Sequence, residues 1–283
     1  MTLLRKISQR SVDPLFYQKK ARRLIRRFRR FDDTPRLDDI SVLASVRKAT
    51  VVVAHPDDET FCSGLVCALK EGGAVVQVLC LTKGEGGPNG TIPRETLGEI
   101  RAAEMERSCA ELGVDELVFL DHLDPEPNGF RMYAPAVAPA ELGRRIRPFL
   151  ESSDLVVTHG SNGEYWHPGH LLVFKAAKAA LPADEQEGPA WITFLARNPD
   201  HPMPRLLNWD DAAFLRIDAS RHHETRRRAL ECHGSQLGLF GRFAKGSHED
   251  FIRHTAVETY ALRRSGRLFG GFSKTRSKDR GSG

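Results

Sequence analysis

Short runs of apolar β-formers alternate along this chain with segments whose apolar residues recur every three to four positions. The pattern predicts strands over 49–54, 74–82, 116–121 and 154–160, and helices over 58–71, 94–112, 139–150 and 168–181. Gly72 with Gly73, and Gly113, close two of these helices, and Pro168 opens another. The strands are apolar almost throughout, as in AVVQVLCLT (74–82), which is the composition of strands covered on both faces. Strand–helix alternation of this kind implies an α/β, Rossmann-like, mostly parallel sheet with helices on both faces. Ligands in such sheets bind beyond the carboxyl ends of the strands. The expected organisation is a single domain over 48–262, between a basic extension (1–47) and a basic, disordered tail (263–283).

Charge follows the same division. The net charge of +5 is made of +9 in residues 1–48, +6 in residues 262–283 and −10 in the body between them. An enzyme of nucleic acid concentrates positive charge at its cleft, so no nucleic-acid partner is expected here. Residues 14–31 place Tyr17, Ala21, Leu24, Ile25, Phe28 and Phe31 at helical spacing among lysines and arginines. That stripe suits an anionic membrane surface, or packing against the chain's own domain. No window is apolar enough to span a bilayer, and the first residues lack the apolar stretch of a secretory signal. Five cysteines without a C-x-x-C pair read as reduced thiols, which together indicate a cytoplasmic protein, peripheral at the membrane if the helix binds there.

The chemistry starts where the first strand stops. VVVAHPDDETF (51–61) sets three carboxylates and an imidazole side by side at the end of a buried strand. Close carboxylates repel one another, so the position calls for a cation. His55 and Asp58 lie three apart on a tight turn, within reach of one ion, with Asp57 and Glu59 beside them as bases or supporting groups. YWHPGHLLV offers His167 and His170, also three apart, at a helix start, and His159 ends the fourth strand. The residues themselves indicate a metal hydrolase built from two stretches.

VVVAHPDDE, LTKGEGG, LGEIRAAEMERSCAELGV, LVFLDHLD, NGEYWHPGH and ALECHGSQL resemble, in this order, the LmbE-like/PIG-L family of zinc-dependent N-deacetylases. The resemblance covers roughly residues 48–240. It implies one Zn2+ per chain, or another divalent ion, held by His55, Asp58 and His170. It further implies Asp57 as general base and His167 as the donor to the oxyanion or the leaving amine. The substrate it implies is an N-acetylglucosamine-type sugar or glycoconjugate, lipid-linked if the N-terminal helix binds membrane. The family pattern carries Asp where this chain has Gly169, and Trp166 is bulkier than the expected glycine, which bears on the tuning of His167 and the width of the pocket. Two other functions share these residues: an amidase acting on a thiol conjugate, and a fold member that binds metal and ligand without turnover.

The remaining candidates have structural readings. GEGG lacks the G-K-[ST] of a phosphate loop and is expected to be a flexible rim, with Lys83 as a contact. Glu59 supports the turn, and Arg101 with Glu104 forms a pair along one helix. His233 and Gln236 cap a helix or belong to the site, and His122 lines the pocket or is structural.

Overall fold

The structure is a computed structural model that describes Leu37 and residues 40–270, apart from 130, 183, 185 and 186. The basic stretch 14–31, and with it the expected membrane contact, lies outside the described residues. Four strands, β1 (Lys48–Val53), β2 (Val75–Cys80), β3 (Glu116–Phe119) and β4 (Leu155–Thr158), match the apolar runs. Helices α1 (Ser63–Glu71), α2 (Arg94–Glu111), α3 (Pro139–Glu151) and α4 (Pro168–Ala180) match the periodic segments, with a 3-10 turn over Asp58–Cys62 ahead of α1.

Beyond α4 the chain adds β5 (Ala190–Phe194), β6 (Ala196–Arg197), β7 (Asn208–Ala212) and β8 (Leu215–Asp218). Helices α5 (His223–Glu231), α6 (Leu237–Ala244) and α7 (His248–His254) follow, then β9 (Val257–Arg264). The main sheet runs β3-β2-β1-β4-β5-β9-β8; its first five strands are parallel and β9 is antiparallel to both β5 and β8. The chain steps outward from β1 to β3 and returns to β4 on the other side of β1. The strand order therefore reverses between β1 and β4, which is the crevice where such sheets bind ligands.

Every residue of β1 from Ala49 to Val53 is buried, because each face of the sheet is covered. Val51 and Val53 join the core beneath α1, α5 and α7, whereas Val52 joins Leu79, Val156 and the apolar faces of α3 and α4. The period of two along β1 divides the core into these layers. The packed chain also reaches past the expected boundaries: Leu43 and Val46 are buried at one end, and Phe269 is fully buried at the other. All five cysteines are free. No helix among the described residues is long and apolar enough to cross a membrane.

The antiparallel edge has a direct effect on the first turn of α1. That helix has no side-chain cap of its own at Cys62. Glu258 of β9 takes the place of one, accepting the backbone N–H of Gly64 at 2.7 Å and of Leu65 at 2.9 Å. A carboxylate there satisfies orphan donors and meets the positive end of the helix dipole. A Cβ on Gly64 would lie 2.3 Å from Ala219 Cβ and 2.8 Å from Glu258 Oε1. Gly64→Ala is therefore expected to destabilise the protein by about 1–3 kcal/mol, although alanine is the better helix former. Urea unfolding followed by circular dichroism measures this; a midpoint equal to or above that of the parent would show that the contact yields at no cost.

Candidate metal centre and active site

The AHPDD turn sits at the carboxyl end of β1 and the HPGH stretch follows the end of β4, so neighbouring strands deliver both to one place. Asp58 stands at the centre. Its Oδ2 accepts the His55 backbone N–H at 2.9 Å and lies 3.2 Å from His55 Nδ1 and 3.4 Å from His159 Nε2, while Oδ1 lies 3.3 Å from His170 Nε2. His55 Nε2 is 3.5 Å from Asp124 Oδ1. Glu164 Oε2 meets two imidazoles through Nδ1, His170 at 2.5 Å and His159 at 2.8 Å. A carboxylate on Nδ1 fixes the tautomer and turns the opposite nitrogen toward Asp58.

Two trios bring their ligand atoms within 4.8 Å of one another: His55, His167 and His170, and Asp58, His159 and His170. The backbone separates the members. His159 Nε2 already accepts the N–H of Ala54 at 3.1 Å, and His167 Nδ1 accepts the N–H of Gly169 at 3.2 Å. His55 Nε2 and His170 Nε2 are buried with no hydrogen-bond partner. Buried nitrogens without a partner, facing carboxylate oxygens, fit a missing cation.

The electrostatics agree. Burial works against a charged imidazole, yet Asp124 and Asp58 overcome it and push His55 up to about 9. Glu164 and Asp58 likewise push His159 up to about 9. Glu164 is held down to about 2, against burial, by His159 and His170. Without a cation, Asp124 and Asp58 favour a second proton on His55, whereas His159 accepts the Ala54 N–H at Nε2. A divalent ion bound there would replace that charge. His167 is different: burial, His170 and His55 hold it well below its ordinary value, so it is neutral. With Nδ1 accepting from Gly169, its proton sits on Nε2.

Asp57 adopts φ 104°, a left-handed conformation that is costly for a residue with a Cβ. The surroundings enforce it. Thr60 donates to Asp57 O through N–H at 3.2 Å and Oγ1 at 2.6 Å, and Glu59 Oε2 accepts the Asp57 N–H at 3.0 Å. Arg101 donates from Nη2 to Pro56 O at 2.6 Å and Asp57 Oδ2 at 3.0 Å, and from Nη1 to Gly84 O at 2.8 Å. Burial pushes the Asp57 carboxyl up to about 6, with Arg101 pulling against it. Glu59 is itself fixed by Ser108 Oγ at 2.6 Å and His233 Nε2 at 2.5 Å.

Several expectations change. Arg101 and Glu104 do not pair: Arg101 reaches the AHPDD turn, and Glu104 accepts from Ser235 N and Oγ. Helix α2 leaves Ile100 exposed and buries Arg101, Glu104 and Ser108, so its inward face is partly polar. The GEGG loop wraps the Arg101 guanidinium. A Cβ on Gly84 or Gly87 would lie 2.4 or 2.2 Å from Arg101 Nη1, so close approach, not flexibility, requires the glycines. Lys83 pairs with Glu99 and His122 with Arg145; neither lines the pocket, and neither does Trp166. The sequence reading passed over Asp124, Glu164 and Asn208 and left His159 without a role. Asn208 accepts the N–H groups of Asn162 and Glu164 and donates to Glu164 Oε1 at 2.9 Å. The signal for Glu164 and Asp124 was their place inside the NGEYWHPGH and LVFLDHLD motifs. Asn208 had none.

An open, mostly parallel α/β sheet with a buried His/Asp cluster at its switch point defines the class: an α/β protein whose cluster could hold a metal ion. Residues 50–181 match the family model described as PIG-L, GlcNAc-PI de-N-acetylase. The chain is 30% identical over 255 residues to a Thermobifida fusca protein named 1D-myo-inositol 2-acetamido-2-deoxy-alpha-D-glucopyranoside deacetylase, a match covering 70% of this chain and 86% of that one. It belongs to the PIG-L (LmbE-like) family and is an amide-hydrolysing enzyme of the deacetylase class. Among solved structures it is similar to N,N'-diacetylchitobiose deacetylase from Pyrococcus horikoshii (TM-score 0.57, 19% identity, 85% of this chain and 91% of that one). It is also similar to GalB, the 4-carboxy-2-hydroxymuconate hydratase of Pseudomonas putida KT2440 (TM-score 0.54, 17% identity, 77% and 96%). The last two likenesses concern the fold.

Arg101→Met removes the partner of a buried carboxylate and the donor to two carbonyls. A loss of about 3–5 kcal/mol is expected. Urea unfolding would detect it, and a loss below about 1 kcal/mol would mean that water replaces the guanidinium.

Proposed function

We propose that this chain is a zinc-dependent hydrolase that removes the N-acetyl group from an N-acetylglucosamine-type sugar or glycoconjugate. The observation that carries the proposal is the meeting of an oriented imidazole–carboxylate cluster with Asp57 in the lining of one cavity of about 490 Å³. In this reading His55, Asp58 and His170 hold one ion per chain. Oxygen and nitrogen donors suit zinc and also accept other divalent ions. Such an ion would supply Lewis acidity, lowering the pKa of a water and polarising the amide carbonyl.

The side chains do the rest. Asp57, with Oδ2 engaged by Arg101, takes the proton of the attacking water at Oδ1. Burial raises this carboxyl while Arg101 keeps it ionised, which suits a base. His167 donates from Nε2 to the carbonyl oxygen as negative charge develops there. The family pattern that the sequence resembles carries an Asp beside this histidine. Here a Cβ at position 169 would lie 3.0 Å from His55 Nε2 and 3.3 Å from His167 Nδ1, and the Gly169 N–H orients the ring instead. Proton return to the amine falls to Asp57, since His167 is a donor held neutral.

Asp57→Asn keeps the shape and removes the base. Acetate release from N-acetylglucosamine conjugates is expected to fall about 10²- to 10⁴-fold, with metal content unchanged at one ion per chain. Metal bound but no acetate from any conjugate, even in the parent, would turn the assignment toward the thiol-conjugate amidase or a binding protein. Glu164→Gln tests the metal itself. It replaces the carboxylate oxygen shared by His159 and His170, and metal affinity measured by chelator competition is expected to drop about 10- to 100-fold. Unchanged affinity would place the ion elsewhere.

A further inference from the structure

The charged groups that line the pocket are spent on the protein itself. Arg94 donates from Nη1 to Glu85 O at 2.7 Å and Gly87 O at 2.6 Å, and from Nη2 to Asn89 Oδ1 at 3.3 Å. Arg101 holds the AHPDD turn and the GEGG loop. Asp58 and Asp124 face imidazoles, and Asp57 faces Arg101. Gln236 contributes one acceptor, since its Oε1 is buried without a partner while its Nε2 donates to Pro88 O at 3.0 Å.

The rest of the lining is largely apolar. Leu239 and Phe243 lie one turn apart on α6 and present the same face to the pocket. Phe243 meets the Tyr165 ring at 5.7 Å between centroids, and Tyr165 stands 5.5 Å from His170 and 5.7 Å from His167. The apolar wall thus begins next to the metal cluster. Met132, from the segment before α3, adds a second apolar contact, and beside it stands the Tyr133 ring, with the Arg131 guanidinium 5.3 Å from its centroid. All five side chains are half-buried, so a ligand can cover what remains exposed.

A polyol such as an inositol glycoside would lose water from its hydroxyls against this wall, with few groups to replace it. An alkyl or aryl group gains free energy in proportion to the area it buries. We infer that the substrate is an N-acylated amino sugar bearing a hydrocarbon or aromatic group beside the hydrolysed amide, received by Tyr165, Phe243, Leu239 and Met132. The inference rests on the hydrolase reading above. The group sits either on the aglycone or on the acyl chain; the chemistry of recognition is the same.

Two substrate series distinguish these sources. One varies the aglycone of an N-acetylglucosaminide from methyl through butyl and hexyl to octyl. The other varies the acyl group of a methyl glucosaminide from acetyl to hexanoyl, and N-acetylglucosaminyl-inositol serves as the polyol reference. Amine release by the zinc-loaded full chain gives kcat/KM. Along one series it is expected to rise about fourfold per methylene until the wall is covered, and to exceed the inositol glycoside. Phe243→Ser and Leu239→Ser, verified as folded by circular dichroism, are expected to flatten that slope. Two flat or falling series, a slope unchanged in both variants, or a preference for the inositol glycoside overturns the inference while the hydrolase reading stands. No amine from any compound overturns both.

Discussion

Five carboxylates, those of Asp57, Asp58, Glu59, Asp124 and Glu164, are buried around the ends of two neighbouring strands, and the protein is organised by the need to give each a partner. A buried carboxylate left alone costs several kcal/mol or takes up a proton. Imidazoles from three segments, one guanidinium and a series of backbone N–H groups meet that need, with the remaining charge left for a cation. Each partner has a place in the fold: α2 carries Arg101 inward, the single turn at Gly163–Trp166 carries Glu164, and the segment after α5 carries His233.

The sheet makes this arrangement feasible. Because the strand order reverses at β1, the turns after β1 and β4 are adjacent. His55 and Asp58 from one turn can therefore face His159 and His170 from the other. Strain at Asp57 is part of the same solution. A left-handed backbone aims its carboxyl beside Asp58, and the bonds from Thr60, Glu59 and Arg101 hold it there.

The last third of the chain supports the site from outside. Glu258 caps the helix that follows the AHPDD turn, and Asp211 accepts from Ser161 in the loop that leads to Glu164. Asn208 binds that loop through its backbone and through Glu164 Oε1. The chemistry lies in the parallel half of the sheet, and residues of the last third of the chain hold it in shape.

The parallel core, its four strands and helices, and the two histidine–acid stretches were legible in the amino-acid sequence. Their signals are local: continuous apolar runs, helical periodicity, and ligand-type residues three apart on one turn. Tertiary structure decided the rest. Arg101 and Glu104 look like a helix-surface pair at their spacing of three, yet each is claimed by a different distant segment. Glycines that read as a flexible rim are demanded by a guanidinium packed against them. Asn208 is an ordinary polar residue in a short strand until Glu164, 44 positions away, needs a donor. The antiparallel strands β8 and β9 mix polar with apolar positions, and their place in the sheet depends on partners far along the chain. Residue type and spacing determine which chemistry a chain can carry. Which atoms stay without a partner, and which charges are already neutralised, depends on contacts spanning from 44 to 174 residues, and those exist only once the chain has folded.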